Sequence, residues 1–156
     1  MMSDPTVPTV FIVLVIVRRD DRYVLVEETR DRGWYLPGGR LEPGEDLLAG
    51  ARREVLEEAG IGVEIEGVLR FEHTPAIRGV TRLRCILIGR PTNDAPLKGR
   101  GDRESCGAAW FRVDEIASLR LRAGEVETLV RYVQEGGSVS PLSILAREGA
   151  PLPPDS

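Results

Sequence analysis

Apolar residues along the chain fall into one unbroken run, several short strand-like stretches and two stretches at helical spacing. The unbroken run is residues 10–17 (VFIVLVIV). A membrane helix needs about 20 such residues. Asp4, Pro5 and Pro8 precede the run and Arg18, Arg19, Asp20 and Asp21 end it, which does not fit a signal peptide. Its β-branched content predicts a strand buried on both faces. Residues 23–27 (YVLVE), after a polar turn, predict its hairpin partner. Residues 30–44 hold Gly33, Pro37, Gly38, Gly39, Pro43 and Gly44 and predict a loop. Residues 45–59 predict a helix, with apolar positions at 47, 48, 51, 55 and 59. Glu45 and Asp46 would sit in its first turn and Gly60 would cap its end. Strands are expected near 63–73, 81–90 and 108–112. A second helix is expected around Val126, Leu129, Val130 and Val133, ended by Gly136 and Gly137. Strands mixed with two helices predict an α/β layered fold. One domain is expected over residues 1–149, with a flexible proline-rich tail over 150–156.

Composition narrows the chemistry. The 156 residues include one histidine, His73, and two cysteines, Cys85 and Cys106. A zinc site of His and Cys needs three or four such ligands, and these are not closely spaced. His73 reads as a strand-end residue, and both cysteines as small buried hydrophobes. The 25 Asp and Glu remain, so carboxylates and a hard cation are the place to look. The net charge of −4 argues against a nucleic-acid polymer as partner. Of the basic residues only Lys98 is a lysine, and this arginine excess reads as a compositional bias. Two isolated cysteines, with no export or membrane segment evident, predict a cytoplasmic protein.

Residues 38–61 read GGRLEPGEDLLAGARREVLEEAGI. On a helix at about 100° per residue, Glu54, Glu57 and Glu58 share one face. Like charges at this spacing repel, and a divalent cation would remove the cost. Mg²⁺ and Mn²⁺ prefer oxygen ligands. For three glutamates alone, a solvated acidic face with Arg52 and Arg53 as partners is the preferred reading. The wider spacing decides between these readings. Gly39, Glu45, Arg53, Glu54, Val55, Glu57, Glu58, Gly60 and Ile61 match every specified position of G-x5-E-x7-R-E-U-x-E-E-x-G-U, with U aliphatic. The segment resembles the Nudix box.

The resemblance implies an α/β/α sandwich with a mixed central sheet. It also implies an Mg²⁺- or Mn²⁺-dependent hydrolase that cleaves a pyrophosphate bond in a nucleoside diphosphate derivative. Carried onto this chain, it makes Glu54, Glu57 and Glu58 metal ligands, joined by the backbone carbonyl of Gly38. Glu45 and Arg53 become the pair that orients the acids. The general base would be Glu57 or another box glutamate, or a glutamate on a later loop. Glu104 is the best later candidate, with a solvated loop acid as its alternative, and Glu72 is a weaker one. Trp34 and Tyr35 are candidates for stacking on a base, or for packing the loop. WYLPGGRLEPGE, with later ES-x-x-AAW and LRA, is similar to a subgroup acting on oxidised purine nucleoside diphosphates such as 8-oxo-dGDP. That subgroup carries Ala-Gly where this chain has Gly38-Gly39. Pro75 stands where ADP-ribose hydrolases of the family can carry a proline. A small-molecule nucleotide is therefore the expected partner, no membrane is involved, and the family allows a homodimer. A nucleotide sensor without catalysis is the alternative of another class.

Overall fold

The computed structural model describes residues 6–28, 32–76, 78–99 and 105–154, the side chains of Ser105 and Cys106 excepted. The long apolar run forms the middle of β1 (Thr9–Arg19), and Val13 to Val17 are all buried. A tight turn with Asp20 at φ 54° leads into β2 (Arg22–Glu28), which returns antiparallel. Residues 30–44, expected to be loop, contain two short strands, β3 (Gly33–Tyr35) and β4 (Gly38–Arg40). Three residues are too few to show a period, and both strands exist because they pair with β2 and β1. Next come α1 (Leu47–Ala59), β5 (Val63–Thr74), β6 (Thr81–Pro91) and β7 (Ser105–Arg112). A one-turn helix α2 (Val113–Ile116), too short to show a period, precedes α3 (Glu125–Gln134).

The sheet is mixed. β1 runs parallel to β6 from Thr9 opposite Thr81 to Val17 opposite Gly89. β6 runs antiparallel to β5, β4 antiparallel to β1, and β7 antiparallel to β2. On one face Val13, Val15, Cys85 and Leu87 pack against Ala51, Val55 and Ala59 of α1. On the other, Leu14, Ile16, Ile86 and Ile88 pack with Val126, Val130 and Val133 of α3. Both faces of β1 are covered, which is why its sequence does not alternate. The arrangement is the α/β/α sandwich. Among the described residues no helix is long and apolar enough to cross a membrane.

The start of α1 differs from the expectation. Asp46 is the N-cap, its carboxylate accepting from the Ala49 N–H at 2.8 Å. Glu45 lies before the helix and is free to point elsewhere. Gly60 ends the helix at φ 73°, its N–H donating to the Leu56 carbonyl at 3.0 Å. Beyond α3, Ser140 exchanges backbone hydrogen bonds with Val68 of β5 at 2.8 and 2.9 Å. Leu142 and Leu145 then cover the α1-side core.

Candidate active site

The site is built where β4 meets the flank of α1. Val15 N–H donates to the Pro37 carbonyl, and Leu41 N–H to the Phe11 carbonyl, each at 2.9 Å. Those bonds set the phase of the β1–β4 ladder, in which successive residues alternate in facing their partner. Gly38, opposite Leu14, is off the beat, so its carbonyl and N–H point away from β1. Gly39 faces the helix. A Cβ there would lie 2.5 Å from Glu54 Oε1, so a larger residue would push that carboxylate from its place. Glu54 is 9 % exposed, far from the solvated acid of the alternative reading.

Arg53 organises the acids. Its Nε and Nη2 donate to the two oxygens of Glu45 at 2.7 and 2.8 Å. Nη1 donates to Glu54 Oε1 at 2.9 Å and to Glu57 Oε2 at 3.3 Å, and Nη2 also reaches the Arg40 carbonyl at 3.1 Å. The forked guanidinium suits this multiple contact as an ammonium would not. The Arg53 fork holds the Glu45 carboxyl at about 2, and Glu45 also accepts from the Glu42 N–H. Arg52, by contrast, is exposed.

Glu58 lies beside Glu54. Burial, and then the hydrogen bond with Glu54, push its carboxyl well above the usual carboxylate range, while the Gly38 backbone N–H works in the opposite sense. Two carboxyls thus meet beside Gly38, whose carbonyl lies on the same free edge of β4 as its N–H. This donor set is all oxygen, which fits a hard divalent cation. Glu57 is turned to Arg53, with its side chain half exposed. Among the described residues no three His, Cys, Asp or Glu side chains are arranged to hold a metal ion. Rotation of Glu57 away from Arg53 is what a third ligand would require.

On the sheet face opposite α1, a cavity of about 230 Å³ opens beside Gly38 and Gly39. Tyr35, Arg40, Arg84 and Arg122 line it, together with Glu28. The Tyr35 hydroxyl donates to Glu125 Oε1 at 2.6 Å, and the Arg122 guanidinium stacks 4.8 Å from its ring. Burial, then the Glu125 contact, push the Tyr35 phenol up to about 12. Arg84 holds Glu125 with both Nη1 and Nη2, at 2.8 and 2.6 Å. Arg122 is paired with Glu28. Several arginines thus converge here. Arg84 and Glu125 are 41 residues apart, and no local pattern could have joined them. Trp34 instead packs edge-on against Phe111, with centroids 4.9 Å apart. Glu72 is paired with both Arg70 and Arg84. His73 is exposed near the end of β5, and Cys85 is buried in the core. Glu104 lies outside the described residues.

A family model for the NUDIX domain matches residues 7–132. The chain belongs to the Nudix family. It is 36 % identical over 128 residues to the 8-oxo-dGDP phosphatase NUDT18 of Homo sapiens, an alignment that takes in 80 % of this chain and 38 % of that protein. The chain therefore spans well under half the length of that relative. It is 32 % identical over 115 residues to a MutT-like protein of Streptomyces ambofaciens, across 74 % of this chain and 71 % of the relative. Among solved structures, a NUDIX hydrolase from Nitrosomonas europaea superposes with a TM-score of 0.73 at 32 % identity, covering 91 % of this chain and 99 % of that one. The Nudix box of this chain therefore runs from strand β4 through the capped helix α1 and carries the Arg53-centred acids just described.

Proposed function

We propose that the chain is an Mg²⁺- or Mn²⁺-dependent hydrolase of a pyrophosphate bond in a nucleoside diphosphate derivative. The observation that carries this reading is the pair of adjacent carboxyls, Glu54 packed against Gly39 and Glu58 bonded to the Gly38 N–H. Glu54, Glu58 and the Gly38 carbonyl would hold the cation, with Glu57 joining after leaving Arg53. When bound, the ion supplies positive charge to the diphosphate oxygens and acidifies water. The rest is positioning by the chain itself. Arg53 and Glu45 fix the angle at which α1 presents its acids. Arg40 offers a positive charge beside the glycine turn, where phosphate oxygens would lie. A carboxylate accepts the proton of the attacking water, and Glu57, the most exposed box acid, or Glu104 takes that role.

An oxidised purine nucleoside diphosphate is the first substrate to test, because the similarity to NUDT18 covers most of this chain. ADP-ribose, dinucleoside polyphosphates and sugar nucleotides complete the panel. Turnover with Mg²⁺ or Mn²⁺ is expected for at least one of them. Glu57→Gln should lower kcat by orders of magnitude with the thermal midpoint retained, since the apolar face of α1 is untouched. Glu104→Gln should cause a smaller loss. A panel with no turnover under either metal would leave a nucleotide-binding module in place of an enzyme.

A further inference from the structure

A second cavity, of about 560 Å³, lies on the same sheet face beyond the first. Arg82 and Arg84 line both cavities, so the two form one groove. The strand register places it. Gly38, Leu14, Ile86 and Arg70 stand in one row across β4, β1, β6 and β5. Arg40, Ile12, Arg84 and Glu72 form the next row on that face. Val10, Arg82 and Thr74 form the third. At about 3.3 Å per residue and 4.8 Å per strand, the Arg82 backbone is roughly 16 Å from that of Gly38.

The arginines of this groove are not equivalent. Arg84 gives Nε to Glu72 and both terminal nitrogens to Glu125, so its donors are taken. Arg70 pairs with Glu72 at 3.1 Å and Arg122 with Glu28. Arg82 is exposed and has no acidic partner among the described residues. An exposed guanidinium at the junction of two polar cavities is a forked donor suited to a phosphate. Glu72 stands directly across from Arg84 and holds two neighbouring arginines in place, which leaves Arg40 at the glycine turn and Arg82 at the far end of the groove to meet a ligand.

We infer that the groove holds a second anion subsite, centred on Arg82, for a phosphate monoester on the sugar of the substrate. The scissile diphosphate lies at Gly38 and Gly39, and the sugar spans toward Arg82. This inference rests on the nucleotide-hydrolase reading above, which places the diphosphate. It makes Arg82 a specificity residue that favours nucleotides phosphorylated at a second position.

Calorimetric titration of the full chain with Mg²⁺ tests this, using AMP, adenosine 2′,5′-bisphosphate and adenosine 3′,5′-bisphosphate. At least one bisphosphate should bind at least tenfold more tightly than AMP, and which one does so assigns the phosphate to the 2′ or 3′ position. Arg82→Ala, at an exposed site, should bring the bisphosphate-to-AMP affinity ratio to within about twofold of unity. Arg131→Ala, on the outer side of α3, should keep the wild-type ratio. The subsite is overturned if neither bisphosphate binds, if neither is preferred, if the preference survives Arg82→Ala, or if Arg131→Ala abolishes it equally. The substrate panel separates the two claims. Turnover without bisphosphate preference removes the subsite and keeps the hydrolase. Preference without turnover keeps the subsite and removes the hydrolase.

Discussion

Arg53 hydrogen-bonds three carboxylates and one carbonyl, and its pairing with Glu45 has measurable consequences. The Arg53 fork lowers the Glu45 carboxyl to about 2 from an ordinary 4.5. A depressed carboxyl adds stability that is fully present above the unfolded value and lost as pH falls through the folded one. Glu45→Gln removes that contribution. The stability gap between wild type and Glu45→Gln should therefore be constant near neutrality and narrow between about pH 4.5 and 2. Denaturant midpoints taken across that window check it, and a gap that does not narrow would count against the pair. Gly39 makes a second residue-scale case. The methyl of Gly39→Ala would meet Glu54 Oε1 at 2.5 Å and displace it. Metal activation should then need about tenfold or more Mg²⁺. Unchanged metal dependence would show that Glu54 does not bind the ion.

At the scale of elements, the helix and the long strands were legible because each carries its own signal. α1 shows an apolar face with Gly60 after it, and β1 shows a run that only burial on both sides explains. The box acids were legible for the same reason, since all fall within one loop and one helix. What was not legible depends on pairing at a distance. β3 and β4 look like loop until β2 and β1 are beside them. Glu45 reads as helical until Asp46 takes the N-cap. The clamp of Glu125 on Arg84 and Tyr35 ties the first residue of α3 to β6 and β3, and only the folded chain joins them. Glu125→Ala leaves the mostly buried Arg84 with one acid and the Tyr35 hydroxyl without its acceptor. Both partners are partly exposed, so we expect a loss of about 1–3 kcal/mol rather than that of a fully buried pair. Urea unfolding measures it. KM should rise as well, because Arg84 and Tyr35 form one wall of the cavity beside Gly38.

For the molecule as a whole, the sandwich has an edge that needs cover. β5 is the last strand of the sheet, pairing with β6 on one side only. An open edge of this kind invites pairing with other chains. Ser140 blocks part of it through its two bonds with Val68, and Leu142 and Leu145 cover apolar surface of the α1-side core just beyond. Residues 138–149 therefore act as a strap that closes the edge and buries the flank of the same core that seats the box helix. Removing them together with the rest of the C-terminal segment, by ending the chain at residue 137, exposes two leucines and breaks two backbone bonds. A loss of roughly 2–4 kcal/mol follows from those terms. The shortened chain should also associate, seen as light scattering that rises with concentration. Ending the chain at residue 149 instead should change neither property, since residues 151–154 are exposed. Equal stability of the two truncated chains would mean that the strap does not hold the edge. A loss of metal-dependent turnover in the shorter chain, beyond its loss of folded fraction, would place the strap in the support of α1 and its acids.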